Sequence, residues 1–305
     1  MNPTLIGLFS VIVWGFSVPI SRLIVERIGA VGYAGFLFFG VGLIGCGAHW
    51  LQKQPWPSKT VFRNPYFYVR WLGFVLHEGL LPLAIYLVQK QNVPLVILLN
   101  YLWPTAVIVS SVLISGVKIT RMRSFVLGAL IVVLALFIEI LGPHGLSSGL
   151  FIQKYDCLSY ALVFIGAVSW GIYSAASRRT GDLSGGSTVT PLFQLTLALA
   201  LPLSFMPRFD QWDHLTSLMF VLLAAYCFLQ FLAWRTWDHG VRHGNIVILS
   251  LCADFIPWLS LLGAHLLLGV DIGPKTILSA VLLVTGAIIT RYGTQQKNPV
   301  EVRVD

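Results

Sequence analysis

Ten long apolar runs, each bounded by charged residues, Gly or Pro, dominate the 305-residue chain. Hydrophobic residues make up 56% of it and charged residues only 10%, whereas a soluble domain carries about 25% charge. About 20 apolar residues form a helix that crosses a bilayer. The pattern therefore predicts an all-α membrane protein with ten transmembrane helices and excludes a water-soluble enzyme. The runs cover residues 4–25, 30–51, 71–90, 93–116, 124–142, 157–177, 188–206, 215–237, 246–269 and 274–292.

The basic residues predict the orientation of the chain. There are 20 Lys and Arg against 12 Asp and Glu, which gives a net charge of +8. With a cytoplasmic N-terminus, 14 of the basic residues fall on the cytoplasmic side and 6 on the other, as cytoplasmic loops require. Because they lie in short connections, they indicate orientation rather than nucleic acid binding. We expect a multi-pass protein with both termini in the cytoplasm.

The two halves of the sequence share motifs at nearly constant offsets. The first and sixth runs match at an offset of 156, and the fourth and ninth at 153. Two repeats with an odd number of helices each are inverted relative to one another, an arrangement used for alternating access. We therefore predict a first five-helix repeat at 1–145, a linker at 146–156, a second repeat at 157–293 and a cytoplasmic tail at 294–305. The matched residues are Trp14-Gly15 with Trp170-Gly171, Ser21-Arg22 with Ser177-Arg178, and Asn92, Pro104 and Gly116 with Asn245, Pro257 and Gly269.

Four tryptophans fall near the middle of the repeat-paired runs, although tryptophan normally gathers at the membrane interfaces. An indole at that depth needs a partner for its N–H, so these side chains either pack between helices or face a wet central cavity. We predict the cavity for Trp103 and Trp170 and leave both readings open for Trp14 and Trp258. Tyr101, Tyr173 and Tyr226 would add aromatic faces to the same cavity. The remaining tryptophans, Trp50, Trp56, Trp71, Trp212, Trp234 and Trp237, are assigned to the interfaces.

Prolines interrupt several runs and predict kinks there, because proline cannot donate to the carbonyl four residues earlier. Pro104 and Pro257 occupy matched positions in the two repeats, and paired interruptions indicate a midplane binding site. The carbonyls that they free would be available to a substrate ammonium. We predict that the kinks absorb the rocking motion of transport, with hinges at Pro19, Pro104, Pro257, Gly15 and Gly171.

Two carboxyl groups, those of Glu78 and Asp254, lie seven or eight residues inside apolar runs. A charge at that depth is costly, so such a group is neutral, paired or facing water, and by default it marks a functional site. Glu78 adjoins His77, and the pair is our prediction for a charge or proton sensor. The alternative is a protonated carboxyl that bonds a neighbouring helix. Asn100 is a further polar residue at the fourth-helix interruption.

The sequence predicts no catalytic residues, metal or cofactor. His77-Glu78 begins like the zinc-protease motif H-E-x-x-H, but the position of the second histidine is Leu81. No phosphate-binding G-x-x-x-x-G-K-[ST] motif occurs either. A membrane-embedded enzyme would need a cluster of catalytic groups, and a structural scaffold would not need buried carboxyls. Both are therefore less consistent with the sequence than a transporter.

The repeat-paired motifs resemble the drug/metabolite transporter superfamily, whose members contain two five-helix repeats. The resemblance lies in V-W-G-F-S-V-P-I-S-R at 13–22, in Asn100 to Pro104 followed by L-I-S-G, and in Phe255 to Pro257 followed by L-L-L-G. An acidic residue often stands two positions after that glycine, and Asp271 fits whereas Lys118 departs from the pattern. The departure leaves a gating role for position 118 unsupported.

Three further motifs resemble the aromatic amino-acid exporters of that superfamily: N-Y-L-W-P, the run from Leu158 through F-I-G-A to Trp170, and His243-Gly244-Asn245. The resemblance implies efflux of Phe, Tyr and Trp across the bacterial inner membrane. At the matching positions it implies that Tyr101, Trp103, Trp170 and His77 line the central cavity.

The sequence thus predicts a secondary exporter of aromatic amino acids that works by alternating access, with a small-molecule substrate and the lipid bilayer as its partners. A monomer is compatible with it. The same fold could instead export cationic aromatic drugs or other metabolites. Trp103, Tyr101 and Trp170 would stack on the substrate ring, with Trp14 and Tyr173 nearby. Asn100 and Asp254 would meet its amino and carboxyl groups.

Overall fold

Helices account for almost all of the described chain. The computed structural model describes residues 2–53, 56, 59–141, 154–180, 189–206, 216–244 and 246–295. Two short 3-10 helices cover Val61–Arg63 and Lys90–Asn92, and two-residue strands β1 (Lys118–Ile119) and β2 (Thr294–Gln295) pair antiparallel. The α-helices are α1 (Pro3–Gly15), α2 (Ser17–Leu51), α3 (Pro65–Leu87), α4 (Val93–Asn100), α5 (Trp103–Ile114), α6 (Met122–Leu141), α7 (Lys154–Thr180), α8 (Val189–Leu197), α9 (Ala200–Ser204), α10 (Ser217–His243), α11 (Ile246–Ala253), α12 (Ile256–Leu268) and α13 (Pro274–Tyr292).

Seven helical segments of the described chain are long and apolar enough to cross a membrane, against the ten crossings predicted from the sequence. The first predicted run begins with a 13-residue helix, α1, and the seventh is divided between α8 and α9. The third, α3, carries Arg70, His77 and Glu78 within its 23 residues. The seven segments are Ser17–Leu51, Lys90–Ile114, Met122–Ile140, Tyr155–Ser177, Ser217–Gly240, Leu251–Leu268 and Pro274–Tyr292.

The fourth and ninth runs are each interrupted, at matching positions of the two predicted repeats. One break separates α4 from α5 at residues 101–102, and the other separates α11 from α12 at 254–255. Pro104 and Pro257 are the second residues of the helices that follow, where the missing N–H is tolerated and the fixed φ suits a first turn. After each of these helices, Gly116 and Gly269 adopt φ values of 72° and 63°. A glycine serves both positions because that region is strained for other residues.

The first run is also interrupted, at Phe16 between α1 and α2. Pro19 leaves the Gly15 carbonyl without its helical donor, and the Ser260 hydroxyl of α12 donates to that oxygen instead at 2.5 Å. A second departure from helical geometry lies within α2 at Gly29, with φ 69° and ψ 167°. The carbonyl freed by Pro19 is therefore satisfied within the protein rather than presented to a ligand. Around Gly171, by contrast, α7 is uninterrupted.

Gly15 and Gly171 each lie at a close approach between the first helix of one half and the fourth of the other. A Cβ at Gly171 would lie 2.5 Å from the carbonyl carbon of Ala106 in α5. A Cβ at Gly15 would lie 2.6 Å from the Leu259 side chain in α12. The matched glycines thus have a packing role, and their hinge role remains a prediction.

Replacing Gly171 by alanine is expected to lower the thermal unfolding temperature of the detergent-purified protein. The new methyl group would meet backbone, which cannot move aside, and such overpacking costs about 1–3 kcal/mol. Gly15→Ala should also be destabilising, because the nearest atom is Leu259 Cβ, which rotation of the side chain does not move. The matched control is Gly47→Ala, since no atom lies within 4 Å of a Cβ at Gly47. Equal unfolding temperatures for Gly171→Ala and Gly47→Ala would contradict the close approach.

The domain boundaries predicted from the sequence meet the structure only in part. The linker residues 146–153 and the tail residues 296–305 lie outside the described residues. Lys154 to Asp156, assigned to the linker, form the start of α7, and Thr294 and Gln295, assigned to the tail, form β2. The division into two repeats remains a prediction. α3 packs against α7, α1 against α10 and α6 against α13, so helices of both predicted halves share one core.

Candidate functional site

A central cavity lies where α1, α2, α3, α4, α5, α7 and α10 meet. It encloses ≈ 640 Å³ of space, counting the part that opens to the outside. Its lining residues are Trp14, Ser17, Val18, Ser21, Tyr33, Leu37, Phe38, His77, Glu78, Leu81, Pro82, Ile85, Asn100, Tyr101, Trp103, Trp170, Tyr226, Gln230 and Trp234.

One wall of the cavity consists of packed indole rings. Trp14 and Trp103 contact Trp170 edge to face, with ring centroids 5.9 and 6.4 Å apart. Trp103 and Trp170 are only 4% and 3% exposed. Such edge-to-face contacts fix the rings and leave their remaining faces as flat apolar surfaces. Trp14, Trp103 and Trp170 are all among the lining residues, whereas the half-buried Trp258 is not.

His77 and Glu78 of α3 bring polar groups to the cavity beside this wall. The His77 ring lies 4.8 Å from Trp170, and its Nδ1 lies 3.0 Å from the carbonyl oxygen of Gly166. A carbonyl only accepts, so Nδ1 carries the proton of that hydrogen bond. The Glu78 carboxyl accepts a hydrogen bond from the Trp234 indole. Both residues therefore have a protein partner while lining the cavity.

Asn100 and Tyr101 lie at the interruption between α4 and α5. The Tyr101 hydroxyl lies 3.0 Å from the Trp14 carbonyl oxygen and 2.9 Å from Ser260 Oγ, so it joins α1 to α12. Asn100 is 6% exposed, and its Oδ1 has no hydrogen-bond partner among the described residues. An unsatisfied buried acceptor is costly and would be satisfied by a donor from a ligand.

A hydrogen-bonded network forms another part of the lining. Ser21 Oγ lies 2.6 Å from the Tyr33 hydroxyl and 3.4 Å from that of Tyr226. Gln230 Nε2 donates to the Tyr226 hydroxyl at 2.6 Å and to Ser17 Oγ at 2.9 Å. A buried network of this kind rigidifies the helices that carry it. The cavity lining therefore includes polar hydroxyl and amide groups as well as the apolar indole wall.

Two of the predicted substrate-binding residues are not among the lining residues. Tyr173 lies behind the cavity wall, with its ring centroid 4.9 Å from that of Trp170. Asp254 is 3% exposed and forms an ion pair with Arg291 at the end of α13. The sequence left Asp254 as neutral, paired or facing water, and the structure shows it paired with a side chain from another helix. The structure thus gives Asp254 a role in joining helices.

The sequence assigned Trp234 and Trp237 to the membrane interface, and the structure buries both side chains inside the protein. Each is 6% exposed, because α10 continues to His243 and does not end near residue 237. Trp237 packs against Trp14 and Trp103, and Trp234 lines the cavity. The sequence contained a signal for this, since the offset of 156 in the predicted repeat pairs Glu78 with Trp234.

The lining suits an aromatic ligand that also carries a charged or hydrogen-bonding group. Flat indole faces accept rings and cations, and the Glu78 carboxyl and Asn100 Oδ1 are acceptors for an ammonium. The lining contains no Lys or Arg among the residues that the structure describes. No group of three or more His, Cys, Asp or Glu with metal-binding geometry occurs in the same described part of the chain.

This chain is similar to several known proteins. Residues 158–292 match the EamA-like transporter family. The aromatic amino acid exporter YddG of Salmonella typhimurium is 29% identical over 299 residues, covering 96% of this chain and 98% of that protein. YddG of Escherichia coli is 28% identical, again covering 96% and 98%. One solved crystal structure shares the fold, with a TM-score of 0.66, 22% identity and 94% of each chain covered.

Proposed function

We propose that this chain, which belongs to the drug/metabolite transporter superfamily and carries an EamA-like domain over residues 158–292, exports aromatic amino acids across a bacterial inner membrane. The observation that carries the proposal is the indole wall beside a carboxyl and an unsatisfied amide oxygen. The substrate ring would lie against Trp103 and Trp170, with Trp14 and Tyr101 at its edges. Its ammonium would be bound by Glu78 and Asn100 Oδ1, close to His77. Tyr173 would support Trp170 from behind.

We also propose ten crossings in two inverted repeats, with both termini in the cytoplasm. The matched breaks before Pro104 and Pro257 support this, as do the positive φ values of Gly116 and Gly269. Reciprocal contacts support it further: Gly171 approaches Ala106 of the other half, and Gly15 approaches Leu259 at the equivalent positions. Alternating access would then be a rocking of one half against the other, with the interruptions at Pro19, Pro104 and Pro257 as hinges.

The direct test is counterflow of labelled L-phenylalanine into proteoliposomes preloaded with unlabelled L-phenylalanine. We expect transient accumulation of label above its equilibrium level. Tyrosine and tryptophan should compete, whereas leucine and arginine should not, because they lack a flat ring for the indole wall. Repeating the assay with an imposed pH gradient separates proton coupling from exchange. If liposomes without the protein gave equal counterflow, the result would contradict the proposed function.

A second candidate function is the export of cationic aromatic compounds. It is favoured by one observation: Glu78 is an acidic lining residue, and the described lining residues include no Lys or Arg to bind a carboxylate. Competition by phenethylamine, which is phenylalanine without its carboxylate, separates the two functions. Stronger inhibition of counterflow by phenethylamine than by tyrosine would favour the cationic substrate.

A further inference from the structure

A second pocket lies next to the central cavity, and Trp234 contributes to the walls of both. No other described residue lines both spaces. The second pocket encloses ≈ 390 Å³ by the same measure as the central cavity. Trp234 is therefore the side chain at the boundary between them.

The walls of the second pocket come from three helices. α2 contributes Gly45 and His49, and α8 contributes Pro191 and Gln194. The third wall is one stripe of α10, because residues 231, 234, 235 and 238 are spaced i, i+3, i+4 and i+7 and thus share a helix face. The stripe consists of Phe231, Trp234, Arg235 and Asp238.

The chemistry of this stripe differs from that of the central cavity. A guanidinium and a carboxylate stand three residues apart on the same helix face, beside two aromatic rings. Arg235 Nη2 donates to Gln52 Oε1 at 2.7 Å in the exposed part of the structure, so the group reaches solvent. An amino acid carries an ammonium and a carboxylate on one carbon, and guanidinium forms strong bidentate bonds with carboxylates. The pocket offers both complementary charges, which the described lining of the central cavity does not.

Trp234 is buried at the boundary and packs against two phenylalanine rings. Its ring centroid lies 6.0 Å from that of Phe38 and 6.3 Å from that of Phe74. Its indole donates to Glu78, the carboxyl to which we assigned the substrate ammonium. If the indole turned away, Glu78 would lose this donor, and an ammonium group could take its place.

We propose that the second pocket is a binding site for aromatic amino acids, in which Arg235 binds the carboxylate and Asp238 the ammonium, and that Trp234 separates it from the central cavity. This inference rests on the proposed function. In the predicted orientation, the pocket lies on the cytoplasmic side, so it receives the substrate before the central cavity does. Rotation of Trp234 opens the passage and at the same time frees Glu78 for the arriving ammonium.

The charge assignment is tested by uptake into everted membrane vesicles, in which the second pocket faces the medium. For Arg235→Gln, the half-saturating concentration of L-phenylalanine should rise about tenfold, the effect of losing one charge-assisted contact. That of phenethylamine, which has no carboxylate, should stay unchanged. For Asp238→Asn, the half-saturating concentration of phenylalanine should again rise. Competition by 3-phenylpropionate, which has no ammonium, should stay unchanged.

The matched control is Arg63→Gln, because Arg63 is exposed and lies on the same predicted side outside the pocket. A general structural defect would weaken the binding of phenylalanine and of its charge-deficient analogue alike. That result would overturn the assignment. Unchanged phenylalanine uptake in both pocket variants would overturn it as well. Failure of the proposed function is distinguishable, since the unsubstituted protein would then take up no phenylalanine.

The boundary role of Trp234 is tested by thiol labelling, which does not depend on transport. In a variant with the four natural cysteines replaced, Leu81→Cys places a thiol in the central cavity. A membrane-impermeant maleimide added to everted vesicles should label it at least about tenfold faster in Trp234→Ala than with Trp234, as expected when a packed barrier is removed. Trp234→Phe keeps a ring, so labelling of the thiol should remain slow in this variant. Equal labelling in all three would overturn the boundary role.

Discussion

Replacing Trp103 by alanine is expected to reduce the transport efficiency for phenylalanine by at least about tenfold, or 1.4 kcal/mol of binding free energy. Trp103 begins α5 directly after the helix break and is 4% exposed. Its ring contacts Trp170 and Trp237 edge to face, with centroids 6.4 and 5.6 Å away. Alanine would remove one flat face and release the other two rings. The loss therefore combines a missing contact with a less ordered wall.

The measurement is counterflow of labelled phenylalanine in proteoliposomes that contain equal amounts of folded protein. Because a buried Trp→Ala change can cost about 3–5 kcal/mol of stability, each variant is first assessed by gel filtration and thermal unfolding. Trp103→Phe retains a ring and should keep most of the activity. Trp50→Ala is the matched control, since Trp50 is 71% exposed. Efficient counterflow by folded Trp103→Ala would contradict the stacking role.

The sequence predicted those parts of the site that depend on how far a residue lies from the ends of its apolar run. Trp103, Trp170 and Glu78 stand far inside apolar runs, where an indole or a carboxyl needs a special environment. That requirement follows from position alone, so the cavity could be expected before any contact was known. The paired interruptions before Pro104 and Pro257 were predictable for a similar reason, since proline acts on its own helix.

The parts that the sequence did not predict depend on which helices meet. Asp254 needed a partner, but nothing in its neighbourhood indicated that Arg291, 37 residues later, would reach it. Trp234 was placed at an interface because a hydropathy run does not show where the helix ends. Hydropathy measures polarity along the chain, whereas α10 continues through polar residues to His243. The partners of buried polar groups are therefore a property of packing between helices.

The ion pair between Asp254 and Arg291 is expected to be the most sensitive of the stabilising contacts described above. It ties the break between α11 and α12 to the end of α13. Asp254 and Arg291 are 3% and 6% exposed, and the guanidinium Nε and Nη1 have no hydrogen-bond partner among the described residues. Asp254→Ala would leave a buried cation without its carboxylate. Breaking such a pair by removing one partner costs about 3–5 kcal/mol.

The measurement is the thermal unfolding temperature of the purified protein in detergent, with Asp271→Ala as the control because Asp271 is exposed. We expect a large decrease for Asp254→Ala and little change for the control. The double variant Asp254→Ala/Arg291→Met removes both charges and should recover most of the loss, because a buried pair contributes little beyond a well-packed apolar pair. A double variant as unstable as the single one would show that the loss is not electrostatic.

The same double variant separates the two roles considered for Asp254. If its carboxylate only joins helices, then a stable, charge-free double variant should transport phenylalanine with a half-saturating concentration close to that of the unsubstituted protein. If Asp254 binds the substrate, the double variant should fold and yet fail to transport. The position of Asp254 outside the described cavity lining favours the first result. Glu78, which lines the cavity and accepts from Trp234, should behave in the opposite way, with Glu78→Gln folding normally but binding the substrate ammonium more weakly.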